Sequence, residues 1–217
     1  MNYVTVITAD VVGSKKIETF EDNFKDTLIN FNHSGLLTPF SISRGDEIQA
    51  LVKGWLSYPE IIRQLRNSCR PLKLRIGIGI GNLADHLSNN SWDLNGPPFH
   101  LARKSLEETT MKKTDTCTIF HSWNEEFDVY INSILLLLDS IQSKWTEEQW
   151  EAVHAYEEFK TFDLAAQHLN IRLQNVQKRC KAAKWSQVLE AENSLRKIKS
   201  YLNQFHPLEG ENTNFTL

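Results

Sequence analysis

A chain of 217 residues can form one large domain, or a medium domain and a small one, with ample length for a real core. Its 24 Lys and Arg against 27 Asp and Glu give a net charge of −3, which hides an asymmetry: residues 144–205 carry 10 cations against 8 acids, and the rest is acidic. The longest apolar run, residues 134–138, excludes a membrane span, and the amino terminus lacks a secretory signal, so a cytoplasmic protein without membrane insertion is expected.

Residues 4–12, VTVITADVV, are rich in β-branched side chains and end at Gly13-Ser14, the pattern of a buried strand. Asp10 interrupts it. A carboxylate is costly to bury unpaired, so Asp10 is either a hydrogen-bonded structural residue or a ligand at the strand's end. Residues 17–31 place Ile17, Phe20, Phe24, Leu28 and Phe31 on one helical face. Residues 40–55, FSISRGDEIQALVKGW, then read as a β-hairpin, two alternating arms around an Arg44-Gly45-Asp46-Glu47 corner. Such a corner is either a plain turn or a place where Asp46 and Glu47 offer oxygens to a hard cation such as Mg²⁺ or Mn²⁺, together with nucleotide phosphates.

A helix is expected over residues 58–69, with Pro59 in its first turn. The strand at 72–81, LKLRIGIGIG, has glycine at three alternate positions, so another backbone, a helix or a ligand approaches one of its faces closely. A polar loop over 82–95 and the Gly96-Pro97-Pro98 punctuation lead to a helix at 99–110, a strand at 114–120 and a helix at 125–143. The fold class predicted for residues 1–143 is α+β, a mixed sheet with helices packed on it, a ferredoxin-like palm.

From Trp145 the texture changes. Thr146 is placed to cap a helix with Trp150, Val153, Tyr156 and Phe159 on its inner face, and short helices follow at 161–169 and 171–185. This all-α, helix-turn-helix pattern over 144–205 resembles the DNA-reading region of sigma-type factors. Residues 171–185 contain no acid. Gln174, Asn175 and Gln177 are candidates for base edges, and Arg172, Lys178, Arg179 and Lys181 for the phosphates of double-stranded DNA. The alternative is a protein-binding or dimerisation module with a solvated basic face. An amphipathic helix over 186–205, through Val188, Leu195, Ile198, Leu202 and Phe205, is a candidate for dimerisation, and residues 206–217 read as a disordered tail. Cys69, Cys117 and Cys180 lie far apart and are expected as reduced thiols.

Four pieces stand in order: Ala9-Asp10 with Gly13; Gly45-Asp46; Arg75-Ile76-Gly77 with Gly81; and Trp92-Asp93-Leu94-Asn95-Gly96 leading to Phe99-His100-Leu101-Ala102. This series resembles class III nucleotidyl cyclases, and its Arg-Gly-Asp-Glu corner resembles the diguanylate cyclase hairpin. The whole chain resembles the SatD family of bacterial proteins. The resemblance implies that Asp10 and Asp46, with Glu47 beside them, hold Mg²⁺ or Mn²⁺ against a nucleoside triphosphate, with Gly13 and Gly45 at the nucleotide and Asp93 at its base. It places His100 and Lys104 where cyclases carry a catalytic Asn and Arg. Lysine is a point charge without arginine's planar fork. It also implies a homodimer in which His100 and Lys104 of one chain face Asp10 and Asp46 of the other. The function expected is a DNA-binding regulator, acting on transcription, with a metal-dependent nucleotide-binding palm. The alternative is an active nucleotidyl cyclase or nucleotidyltransferase whose helical part is a sensor or dimerisation module.

Overall fold

The computed structural model describes residues 2–14, 20–42, 46–83, 88, 90–112 and 117–198. Five strands, β1 (Asn2–Val11), β2 (Leu36–Ile42), β3 (Ile48–Lys53), β4 (Leu74–Leu83) and β5 (Cys117–His121), form one sheet in the order β2-β3-β1-β4-β5. β1 runs antiparallel to both its neighbours, β2 is antiparallel to β3, and β5 is parallel to β4. The connections are helical: α1 (Phe20–Asn30) joins β1 to β2, α2 (Glu60–Ser68) joins β3 to β4, and α3 (Pro97–Met111) joins β4 to β5. The first four strands thus make two split β-α-β units, each parallel pair with an antiparallel strand between its members. The chain is α+β, as its pattern predicted.

Strand alternation sorts the core into two layers. Ile7, Ala9 and Val11 of β1 join Ile76, Ile78 and Ile80 of β4 in the larger core, with Phe24 and Leu28 of α1 and Ile61 and Leu65 of α2. Val4 and Val6 face the other side, where α3 contributes Phe99 and Ala102. The glycines of β4 are explained here. A Cβ on Gly79 would lie 2.1 Å from the Pro98 carbonyl oxygen and 2.4 Å from the Ala102 nitrogen, and one on Gly77 would meet Ala102 and Leu106 backbone as closely. The close neighbour that the sequence leaves open is therefore a helix backbone, that of α3.

The β5 edge of the sheet is closed by side chains. On α4 (Glu125–Gln142), Asp139 accepts the Thr118 N–H at 2.6 Å, Asn132 accepts the Phe120 N–H at 2.8 Å and donates to its carbonyl at 2.9 Å, and Asp128 accepts the Ser122 N–H at 3.0 Å. Three polar residues on one helical face thereby satisfy the outward N–H groups that an edge strand would otherwise offer to another chain.

Helix α2 fastens the carboxyl-terminal helices α5 (Glu147–Phe159), α6 (Phe162–His168), α7 (Leu173–Ala182) and α8 (Trp185–Arg196). Arg63, 2% exposed, forms a two-pronged pair with Glu157 of α5 at 2.7 and 2.8 Å, reaches Glu192 of α8 at 2.8 Å, and stacks over the Trp185 ring at 4.7 Å. Arg66 binds Asp139 at 2.6 Å and Thr118 at 2.7 Å, and Arg70 pairs with Glu147 at the start of α5. Burial alone would pull the Arg63 pKa down, but the two carboxylates more than reverse it. Burial pushes Glu192 up; for Glu157 the same push is outweighed by Arg63, which holds it below its ordinary value. One apolar core runs from Phe24 to Ile198 through Trp145, Trp150 and Trp185.

Two expectations change. The helix read over 171–185 ends at Ala182: Trp145 donates its indole N–H to the Ala183 carbonyl at 2.7 Å, Lys184 turns into the left-handed region (φ 56°), and α8 starts at Trp185. The stripe of α8 offered as a dimerisation face is not free, because Val188, Leu195 and Ile198 are buried in the chain's own core. Leu202 and Phe205 lie outside the described residues.

Removing Arg63 strands the buried Glu192 carboxylate and takes the main partner of the half-buried Glu157, so Arg63→Ala is expected to cost about 3–5 kcal/mol in urea unfolding; a loss below about 1 kcal/mol contradicts this packing. Gly79→Ala drives a methyl into the α3 backbone and is expected to cost about 1–3 kcal/mol in the same assay, with a neutral result ruling out the helix contact.

Candidate functional site

Two regions hold the residues singled out from sequence. The first is the end of the sheet where β1 finishes and β3 begins. The β1–β3 ladder stops at Ala9 and Ile48, so Asp10 and Glu47 follow at the same end. By alternation both face the α3 side, Asp10 with Thr8 and Glu47 with Gln49. Neither stands alone. Asp10 lies opposite Arg75 of β4 in the ladder and forms a two-pronged pair with it at 2.7 and 2.8 Å, while Glu47 sits 3.9 Å from the Arg103 guanidinium of α3. Asp46 is half-buried next to Glu47.

Gly13 turns the chain with φ +75°, and nothing lies within 4 Å of where its Cβ would be. Arg44 and Gly45, at the tip of the corner, fall outside the described residues. Asp93 closes a 3-10 turn (Ser91–Asp93) and accepts from Ser88 at 3.2 Å. That turn is clamped to the hairpin arms by Gln49 to the Ser91 carbonyl at 3.1 Å and by the Trp92 indole to the Ser41 carbonyl at 3.1 Å. His100 and Lys104 are exposed one turn apart on α3.

As it stands this corner does not fit a bare Mg²⁺. Both Asp10 oxygens are engaged by Arg75, and among the described residues no three His, Cys, Asp or Glu side chains converge as a ligand set. Arg103 escaped the sequence reading, and Arg75 entered it only as part of the Arg75-Ile76-Gly77 piece, without a role at the site. Arg75 carried a signal, since it continues the face of β4 on which Gly77, Gly79 and Gly81 stand and breaks their pattern with a charge.

The second region is the three-helix unit of α5, α6 and α7, which pack on one another pairwise. Thr146 and Gln149 form a reciprocal cap at the start of α5, and Thr161 caps α6. Asn170 supplies the left-handed turn between α6 and α7 (φ 52°). Val176 and Cys180 point into the core, and burial pushes the Cys180 thiol up to about 11, so the inner face of α7 is neutral and apolar.

The outer face is the one the sequence named. Arg172, Gln174, Asn175, Gln177, Lys178 and Lys181 are all exposed. Arg179 differs, since it is half-buried and 3.9 Å from Glu151 of α5. Lys184 is exposed just past the helix and adds a cation to the same segment. Among the described residues no helix is long and apolar enough to cross a membrane.

Among curated proteins none matches the chain. Of solved structures, a regulator of polyketide synthase expression from Bifidobacterium adolescentis aligns with 91% of this chain and 81% of its own, at 11% identity and a TM-score of 0.30, too slight a likeness to define a shared fold. The family comparison is of a different order: the model of the SatD family matches residues 3–197, nearly the whole described chain, and the protein belongs to the SatD family.

Proposed function

We propose that this SatD-family protein is a DNA-binding regulatory protein that reads duplex DNA through α7. The observation that carries this reading is how α7 is sorted. Val176 and Cys180 are buried, six of the seven polar residues named on it and at its cap are exposed, and no acid occurs between Asp163 and Glu190. A ten-residue helix is about 15 Å long, enough to lie across the major groove. Gln174, Asn175 and Gln177, near its start, are placed as base readers; Arg172, Lys178 and Lys181 are placed for phosphates. Arg179 is partly neutralised by Glu151, so Lys178 and Lys181 are the discriminating positions.

In fluorescence anisotropy with a DNA duplex across a salt series, Lys178→Ala and Lys181→Ala are each expected to weaken binding. Each should also flatten the slope of log affinity against log salt by about 1, with an unchanged melting temperature. A double variant that binds with wild-type affinity and slope would remove this reading.

The acidic corner supports a second reading, a nucleoside triphosphate bound with Mg²⁺ or Mn²⁺. What favours it is charge arrangement: Asp10 and Glu47 share one side, and each stands beside an arginine. A cation arriving with its nucleotide offers the carboxylates and the arginines new partners together. Asp46 would complete the metal set, Gly13 and Gly45 would lie along the nucleotide, Asp93 would face the base, and His100 and Lys104 would act from a second chain. Nucleotidyl cyclase or nucleotidyltransferase activity is the strong form of this reading. Isothermal titration with each nucleoside triphosphate and Mg²⁺ tests it. Binding heat that disappears in both Asp10→Asn and Arg75→Ala is the expected result, and no heat with any nucleotide leaves the corner as structural ion pairs.

A further inference from the structure

Helix α4 closes the sheet edge with one face and leaves the other bare. Val129, Tyr130, Leu136 and Leu137 are 63%, 70%, 65% and 65% exposed, and Ile134 and Ile141 lie half-buried beside them. The only charged residue between Val129 and Ser143 is Asp139, which is buried against Thr118 and Arg66. The outer side of four helical turns therefore carries no charge. Apolar surface of that extent on a helix marks a contact.

The layout of this face says what it contacts. Ser133 and Ser140 run down its centre seven residues apart, with Val129 and Leu136 along one flank and Tyr130 and Leu137 along the other at the same spacing. Charges appear only at its ends: Glu125 and Glu126 at the start of the helix, and the exposed Lys144 just beyond its last turn. A parallel copy would set the acids against themselves. A lipid surface calls for lysine or arginine flanks, and the acidic start of α4 opposes it.

We propose that a second copy of this chain occupies this face, α4 packing antiparallel on α4 about a two-fold axis. Consider the register that places Glu126 opposite Lys144 of the partner subunit. In that register Tyr130 falls opposite the partner's Ser140 and Leu137 opposite the partner's Ser133. On the other flank, which the two-fold sets against its own copy, Leu136 meets the partner's Leu136 beside the axis. Large side chains lie over small ones in a register that also pairs opposite charges, and the two-fold repeats every contact. The antiparallel arrangement also sets each helix's positive end beside the other's negative end. This face is separate from the acidic corner and from α7, and the proposal stands independently of the function proposed above.

Sedimentation equilibrium of the full chain across the micromolar range tests it. The wild type is expected to dimerise. Leu137→Arg is expected to be monomeric with an unchanged circular dichroism spectrum. Glu126→Lys and Lys144→Glu are each expected to weaken the dimer about tenfold through their two symmetry-related pairs, and the double charge swap to restore it. A monomeric wild type, a dimer that survives Leu137→Arg, or a double swap no tighter than the single variants overturns the proposal.

Discussion

Arg63 holds Glu157 and Glu192 at once, and the placement of the carboxyl-terminal helices follows from that one buried contact. Burying an ion triad adds little net stability, because taking three charges out of water consumes most of what their attraction returns. Its effect is on geometry. Each carboxylate must find the guanidinium, so α5 and α8 have one way to sit on α2. Arg66, three residues further along α2, and Arg70, just beyond its end, repeat the device toward α4 with β5 and toward the first turn of α5. A helix between two strands thus fixes the position of α7, whose inner face is already committed to α5 and α6.

Helix α4 plays a comparable double part. Its inner polar residues stand in for a sixth strand, taking the N–H groups of Thr118, Phe120 and Ser122, so the β5 edge is closed to strand addition. The same commitment leaves its outer side free to be apolar. The two ends of this arrangement are joined through Asp139, which receives both the β5 backbone and Arg66.

Much of this was legible before any coordinates. The strand and helix order, the α+β class and the outward face of α7 all rest on local periodicity, which a sequence displays directly. What was not legible depends on partners far apart in the chain. Arg63 reads as an exposed helix charge until Glu157 and Glu192 are found 94 and 129 residues away. Asp10 could be read as ligand or structural residue, and only the β1–β4 register shows Arg75 opposite it. The glycines of β4 announced a close neighbour without naming it. The α8 stripe looked like a free face because a single chain gives no sign of which apolar stripe its own core consumes; the bare stripe is on α4 instead.

Amide hydrogen exchange of the full chain, followed segment by segment, tests the central claim that α2 locks the carboxyl-terminal helices and the sheet into one body. The account predicts that amides of α2, α5 and α8 exchange with a common opening free energy, close to that of the central strands β1 and β4. If α5 to α8 exchanged far faster than α2 and the sheet, as a unit opening by itself, the Arg63 contact would not be what positions α7.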